Sequence, residues 1–352
     1  MKVLALKADS GGCANYRIEH PARVVRDLTD WDITVADAVD VEGTHYPEKG
    51  IYDITEVKTD ADLIIIQRPL RSSMYYTILQ AKKQGIAVVV ELDDDFHSVP
   101  KHNVAYKDTH PKYNPDSNYL WLERTCALAD VLTVSTPALL KNGTEGRRAV
   151  IPNYVPESIF DLTAQPSFVK RSLGWTGTIG THGLDLQQTQ GAISTILKKT
   201  DATFNVVGDG WGVSEALGIE YSKVNPTGWV DIDKYYQTML NHISVGIVPL
   251  EDNEFNRSKS HLKGMEMAAL GIPFVASPSA EYVQFAKEGL GVIASTKSEW
   301  EKAILGYLNN PRKTTATANR YRKLIKEHYT YEKNAELWAD AWKFAVDHRR
   351  DI

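Results

Sequence analysis

Cysteine is scarce in this sequence: Cys13 and Cys126 are the only two in 352 residues. That scarcity excludes a disulfide-stapled scaffold and any structural zinc site built on repeated Cys/His spacing, and it fits a reducing compartment. Long apolar runs are missing as well. The stretch Val3-Leu4-Ala5-Leu6 stops at Lys7, too short for a secretory signal, and nothing later approaches the about 20 apolar residues of a membrane span. A cytoplasmic protein is the expectation. There is no basic surplus, since 40 Lys and Arg face 45 Asp and Glu for a net charge of −5, so a surface basic all over is excluded while a local basic patch is not. Tandem repeats and low-complexity tracts are absent too, and 43% hydrophobic with 24% charged residues is the composition of a folded, soluble enzyme.

What is present is an alternation of short β-branched runs with amphipathic stretches, the pattern of parallel strands joined by crossover helices. At roughly 150 residues per domain the length suggests two domains. In the first half the pattern predicts strands at 3–6, 33–36, 63–66, 87–91, 131–134 and 149–151, with helices at 73–84 and 119–128. Ile151-Pro152-Asn153-Tyr154-Val155-Pro156 then breaks any regular element. The second half predicts strands at 172–175, 203–207, 244–248 and 273–276, helices at 184–199, 232–240 and 260–270, and a helical ending at 297–308, 313–327 and 332–346. The expected fold class is therefore α/β, with domains at 1–155 and 156–328 and a terminal helical segment at 329–352. Two such halves place ligands at the C-terminal ends of their strands.

The segment from Asn256 to Pro273 carries the most chemistry. A polar loop enters a helix that Gly271 and Pro273 terminate. If that helix begins near Ser258, then Lys259, Lys263 and Glu266 fall on one stripe. Ammonium groups beside helix N–H donors suit a diphosphate, and a carboxylate further along suits the paired hydroxyls of a ribose. An ordinary surface charge pattern, with Glu266 answering Lys263, is the competing reading. Context decides between them: Gly174-Trp175-Thr176-Gly177-Thr178-Ile179-Gly180-Thr181-His182, then Val207-Gly208-Asp209-Gly210, then Gly228-Trp229-Val230 precede the Lys/Lys/Glu helix in that order.

On these motifs the second half resembles the donor domain of GT-B glycosyltransferases, specifically the retaining family-4 type. Its signature Glu-Ala-Met-Ala-x-Gly-x-Pro corresponds to Glu266-Met267-Ala268-Ala269-Leu270-Gly271-Ile272-Pro273. The likeness covers most of 150–350 and weakens before that. It implies two Rossmann-like domains with parallel sheets facing a cleft and a last helix crossing back to the first domain. It also implies a nucleotide diphosphate sugar as co-substrate, UDP- or GDP-linked, with no other cofactor and no metal. The implied donor-side residues are Gly11, Gly12, Gly177, His182, Gly208, Trp229, Ser258, Lys259, Ser260, Lys263 and Glu266. One departure stands out, because the family's Glu-x7-Glu motif would place a glutamate at Ser258. The arginine and lysine that family members carry near 174–185 are also missing, with only His182 in that region, so Lys259 and Lys263 are expected to provide the positive charge.

In the first half Gly11-Gly12-Cys13-Ala14-Asn15-Tyr16-Arg17 follows the first strand, where adjacent glycines allow close approach to a phosphate or sugar. A plain strand-to-helix turn would read the same way. Glu91-Leu92-Asp93-Asp94-Asp95-Phe96-His97 puts mutually repelling carboxylates at a strand end. Asp94, Asp95 and His97 are expected to face a hydroxyl acceptor, with Tyr16 and Arg17 beside them. Asp-x-Asp is also the metal signature of the other major glycosyltransferase fold, a reading that a complete second phosphate-binding half makes redundant.

The acceptor is open: a saccharide, a small molecule or a modified DNA base. The six basic residues between Arg312 and Lys326 are the sequence support for a DNA-modifying enzyme acting on a hydroxylated base. A non-catalytic sugar-nucleotide-binding protein is the remaining alternative. The apolar spacing of Leu337, Trp338, Ala341, Trp342 and Ala345 predicts an amphipathic last helix with a broad buried face.

Overall fold

The computed structural model describes residues 1–47, 51–162 and 171–352. The chain divides into two compact units. Met1–Asn153, Ser258–Ser260 and Tyr331–Ile352 form the first, and Tyr154–Arg257 with His261–Thr330 form the second.

The first unit contains β1 (Lys2–Leu6), β2 (Asp32–Ala36), β3 (Val41–Tyr46), β4 (Ile51–Val57), β5 (Leu63–Gln67), β6 (Ala87–Leu92), β7 (Val131–Val134) and β8 (Arg147–Val150). Six of these pair in parallel in the order β2-β1-β5-β6-β7-β8. β5 and β6 are buried at every position, which is why Leu-Ile-Ile-Ile and Ala-Val-Val-Val read as unbroken apolar runs. Edge strand β8 starts earlier than the predicted 149, because Arg147 and Arg148 are exposed and give no apolar signal. The antiparallel pair β3·β4 was not legible at all, since β3 is exposed along its whole length.

The chain leaves β1 to one side for β2 and to the other for β5, so a topological switch point lies between β1 and β5. The last helix, Tyr331–Asp347, returns to this unit and packs on helix His20–Leu28 and on β6 and β7. Trp338 and Trp342 are fully buried there. The Tyr331 hydroxyl donates to the Tyr16 carbonyl at 2.7 Å and Arg23 pairs with Glu332 at 2.6 Å, fixing the start of the helix.

The second unit holds β9 (Ser172–Thr176), β10 (Thr203–Val207), β11 (Val224–Pro226), β12 (Val245–Val248), β13 (Phe274–Ala276) and β14 (Val292–Ile293). They are all parallel in the order β11-β10-β9-β12-β13-β14, with the switch point between β9 and β12. The predicted helix 184–199 is interrupted. A 3-10 turn at Leu186–Thr189 is followed by left-handed Gln190 and Gly191 (φ 52° and 77°), and an α-helix forms only over Ala192–Lys199. The Gln190 amide anchors this break by donating to the Ser295 carbonyl at 2.9 Å.

The predicted helix 260–270 is likewise shorter, running from Leu262 to Ala269. Ser258, Lys259 and Ser260 are held elsewhere, by bonds to Thr136, Asp94 and Asn153 of the first unit. Among the described residues no helix is long and apolar enough to cross a membrane.

Candidate active site

In the second unit the chain leaves β9 through Gly177 and β10 through Gly208, both at positive φ (142° and 139°). A Cβ on Gly208 would lie 2.2 Å from the Gly177 carbonyl oxygen, so the two strand ends meet at a distance only glycine permits. Beside them stands Lys263, near the start of helix Leu262–Ala269. Its Nζ donates to the Thr176 carbonyl at 2.7 Å and to Nε2 of His182 at 2.9 Å, and it lies 5.6 Å from the centre of the Trp175 ring.

His182 in turn is fixed through Nδ1, 2.8 Å from Oδ2 of Asp185. The other oxygen of Asp185 accepts from the Asn256 amide and from the backbone N–H of Glu251, each at 2.8 Å. An ammonium only donates and a carboxylate only accepts, so the ring is neutral with its proton on Nδ1. Thr176 ends β9 and Glu251 follows β12, which puts the Lys263–His182–Asp185 chain at the switch point of the sheet.

Glu266, three residues after Lys263, lies on the same side of the helix. It is buried, and Oε2 accepts from the Tyr235 hydroxyl at 3.3 Å. Burial and this carboxylate push the Tyr235 hydroxyl well above the usual tyrosine range, keeping it a donor. Trp229 is 83% exposed and Trp211 76% exposed, on loops that follow β11 and β10. Trp175 is core.

The first unit gathers its charges at its own switch point. Arg68 directly follows β5 in a left-handed conformation (φ 48°), a strained backbone that the surrounding ion pairs hold in place. Its guanidinium bonds Asp93 at 2.5 and 2.7 Å, Asp94 at 3.0 Å and the Cys13 sulfur at 3.0 Å. Lys259 Nζ reaches the other oxygen of Asp94 at 2.8 Å. Burial pushes the Cys13 thiol up to about 12 despite Arg68, which disfavours the thiolate. Asp9 takes the Gly11 amide at 2.7 Å, and Gly12 opens the short helical turn that follows.

Several expectations are corrected by this geometry. Lys259 and Lys263 do not share a helical stripe, because the helix begins after Lys259 and Lys259 pairs within the first unit. Ser258 is buried with its carbonyl on Thr136, and Ser260 accepts from Asn153. Arg17, expected to face an acceptor, is 1% exposed. It donates to Glu91 at 2.8 and 2.6 Å, to the Ile151 carbonyl and to Asn153, a core ion pair. Tyr16 is buried beside it. The Asp triplet diverges: Asp95 is fully buried 2.7 Å from the Lys141 ammonium, and His97 faces Glu123 at 3.3 Å with its ring against Tyr119.

Residues 188–340 match the family described as glycosyl transferase-like. Comparison with curated proteins finds no match. Among solved structures, HepE of Anabaena, crystallised with UDP and glucose, is similar over 97% of this chain and 99% of its own, at 14% identity and a TM-score of 0.66. An E. coli trehalose-6-phosphate protein bound with UDP-2-fluoro glucose covers 97% and 99% of the two chains at 10% identity and a TM-score of 0.61. WaaG, a glycosyltransferase involved in lipopolysaccharide biosynthesis, covers 99% and 100% at 12% identity and a TM-score of 0.59.

The chain has the GT-B fold.

Within the GT-B frame the basic stretch 312–326 is not a bare patch. Lys313 and Lys326 lie over the rings of Tyr307 and Phe160, Arg322 bonds the carbonyls of Ala269 and Phe160, and Lys323 faces Glu327. Sequence reading missed Arg68, Asp185 and Asn256. Arg68 carried a usable signal, a charged residue directly after an apolar strand, and Asp185 stands three residues after His182. Asn256 carried none, because its partners come from distant segments.

Proposed function

We propose that this GT-B protein transfers a sugar from a nucleotide diphosphate donor, UDP-linked in the first instance, to a hydroxyl acceptor with retention and without a metal. The observation that carries the reading is Lys263 at the switch point of the second unit, beside two glycine-only strand ends and one turn before the buried carboxylate Glu266. Lys263 would stabilise charge building on the departing diphosphate, and Glu266 would accept the ribose hydroxyls. The leaving phosphate can take the acceptor proton, so no dedicated base is required. The match to a glycosyl transferase-like family and neighbours crystallised with UDP or UDP-glucose support the donor class. A transfer and hydrolysis assay with UDP-glucose, reading the anomer formed by NMR, tests this; UDP-glucose binding without turnover on any acceptor would leave a binding protein.

Two further results are expected. Glu266→Gln should weaken donor binding more than tenfold, because a charge-assisted hydrogen bond is worth about 1.5–3 kcal/mol. Calorimetry on the folded variant reads this, and unchanged affinity removes Glu266 from the site. EDTA should leave turnover intact, because Asp93 and Asp94 face Arg68, Asp94 also faces Lys259, and Asp95 faces Lys141. Loss of activity with EDTA, restored by magnesium or manganese, would hand the Asp triplet to a metal.

A further inference from the structure

A diphosphate brings two negative charges to a site where Lys263, beside the Thr176 and Gly177 strand end, provides one positive charge. Lys259 pairs with Asp94 in the first unit. A group in contact with Lys263 that can change its charge is His182, whose Nε2 accepts a hydrogen bond from the lysine at 2.9 Å. Among the described residues, charged groups facing the ring include Asp185 from its own loop and Lys263 from helix Leu262–Ala269, while β9 contributes the Trp175 ring edge-on at 5.7 Å. Asp185 is buried and held by the Asn256 amide and the Glu251 N–H, so it cannot swing away from the imidazole.

We infer that His182, backed by Asp185, takes up a proton when a nucleotide diphosphate binds and becomes the second cation of the donor site. In the ligand-free protein the Lys263 ammonium opposes an imidazolium, and the ring stays a neutral acceptor. When diphosphate oxygens arrive, the ammonium turns a proton toward them. The vacated Nε2 takes a proton from solvent and donates it to the ligand, while Nδ1 keeps its bond to Asp185. The balance is one proton gained by the protein, with no covalent change in the ligand. Asp185 acts as a positioning residue, fixing which nitrogen is left to face the ligand and favouring the charged ring.

The inference rests on the donor reading above, and the test separates the two. The probe is UDP-glucose, whose diphosphate is a diester without a proton that titrates near neutrality. Calorimetry at pH 7.5 in phosphate and in Tris, buffers of different ionisation enthalpy, counts protons exchanged on binding. The expected result is uptake of a substantial fraction of a proton, with affinity tightening from pH 8 to pH 6. His182→Gln keeps an amide near Lys263; it should bind at least tenfold more weakly, with no proton uptake and a flat pH profile. Asp185→Asn should reduce the uptake, with thermal unfolding read in parallel to confirm a folded variant. Binding by the unaltered protein with no proton uptake, or uptake that persists in His182→Gln, overturns the inference. Failure of the unaltered protein to bind UDP-glucose or a GDP-sugar at all overturns the donor reading instead.

Discussion

Lys263→Ala is expected to lower the rate of sugar transfer by about 10²–10³-fold, the typical effect of removing one preorganised donor aimed at developing charge. The lysine is held by the Thr176 carbonyl and His182, so the ammonium is in place before a ligand arrives and costs little reorganisation. Fold stability should change far less than activity, because Lys263 is only half-buried while Trp175 and Glu266 are themselves buried in the surrounding core. Turnover of UDP-glucose by the variant, with thermal unfolding as the control, checks the expectation. A variant that folds normally and retains full kcat places the diphosphate elsewhere.

Arg17→Ala is expected to destabilise the first unit by about 3–5 kcal/mol, the cost of leaving a buried charge without its partner. Glu91 then has Thr133 as its remaining close partner, donating to its other oxygen at 2.5 Å. Burial already pushes the Glu91 carboxyl up to about 7, against the pull of Arg17, and loss of the guanidinium moves it further in the same direction. The folded variant therefore holds a proton that the unfolded chain releases near its ordinary value of 4.5, so stability falls as pH rises. Because burial already raises Glu91 of the unaltered protein to about 7, chemical denaturation should show a deficit that is level from pH 5 to about pH 7 and widens toward pH 8. Adding Glu91→Gln, which removes the charge, should recover much of the loss at pH 8 and little at pH 5. Equal deficits at both pH values would mean that Arg17 acts through its bonds to the Ile151 carbonyl and Asn153 and its place 5.9 Å from the Trp338 ring, not through the Glu91 charge.

The GT-B architecture was legible because its central strands are buried on both faces. Runs such as Leu63-Ile64-Ile65-Ile66 and Val88-Val89-Val90 then show as unbroken apolar segments. The last helix was legible for a related reason: the spacing of Trp338, Ala341, Trp342 and Ala345 states which face must be covered. Lys263 and Glu266 were legible because three residues within one helix already fix a shared side. Elements whose side chains face water, such as β3 and the first residues of β8, left no periodic trace.

Charge pairing belonged to the tertiary structure. Lys259 and Lys263 look equivalent in the chain, yet one lies against Asp94, 165 positions away, and the other against His182, 81 positions away. Asp93, Asp94 and Asp95 look like one acidic cluster, yet two turn to Arg68 and the third to Lys141. Arg17 looked like a ligand-facing residue until Glu91 was found beside it. The local sequence specifies backbone shape and which faces are apolar, because neighbours in the chain determine both. The role of a charged side chain depends on which opposite charge the fold brings within about 3–4 Å, where the Coulomb energy and its desolvation cost are decided. Those partners come from strand ends that only sheet order makes adjacent.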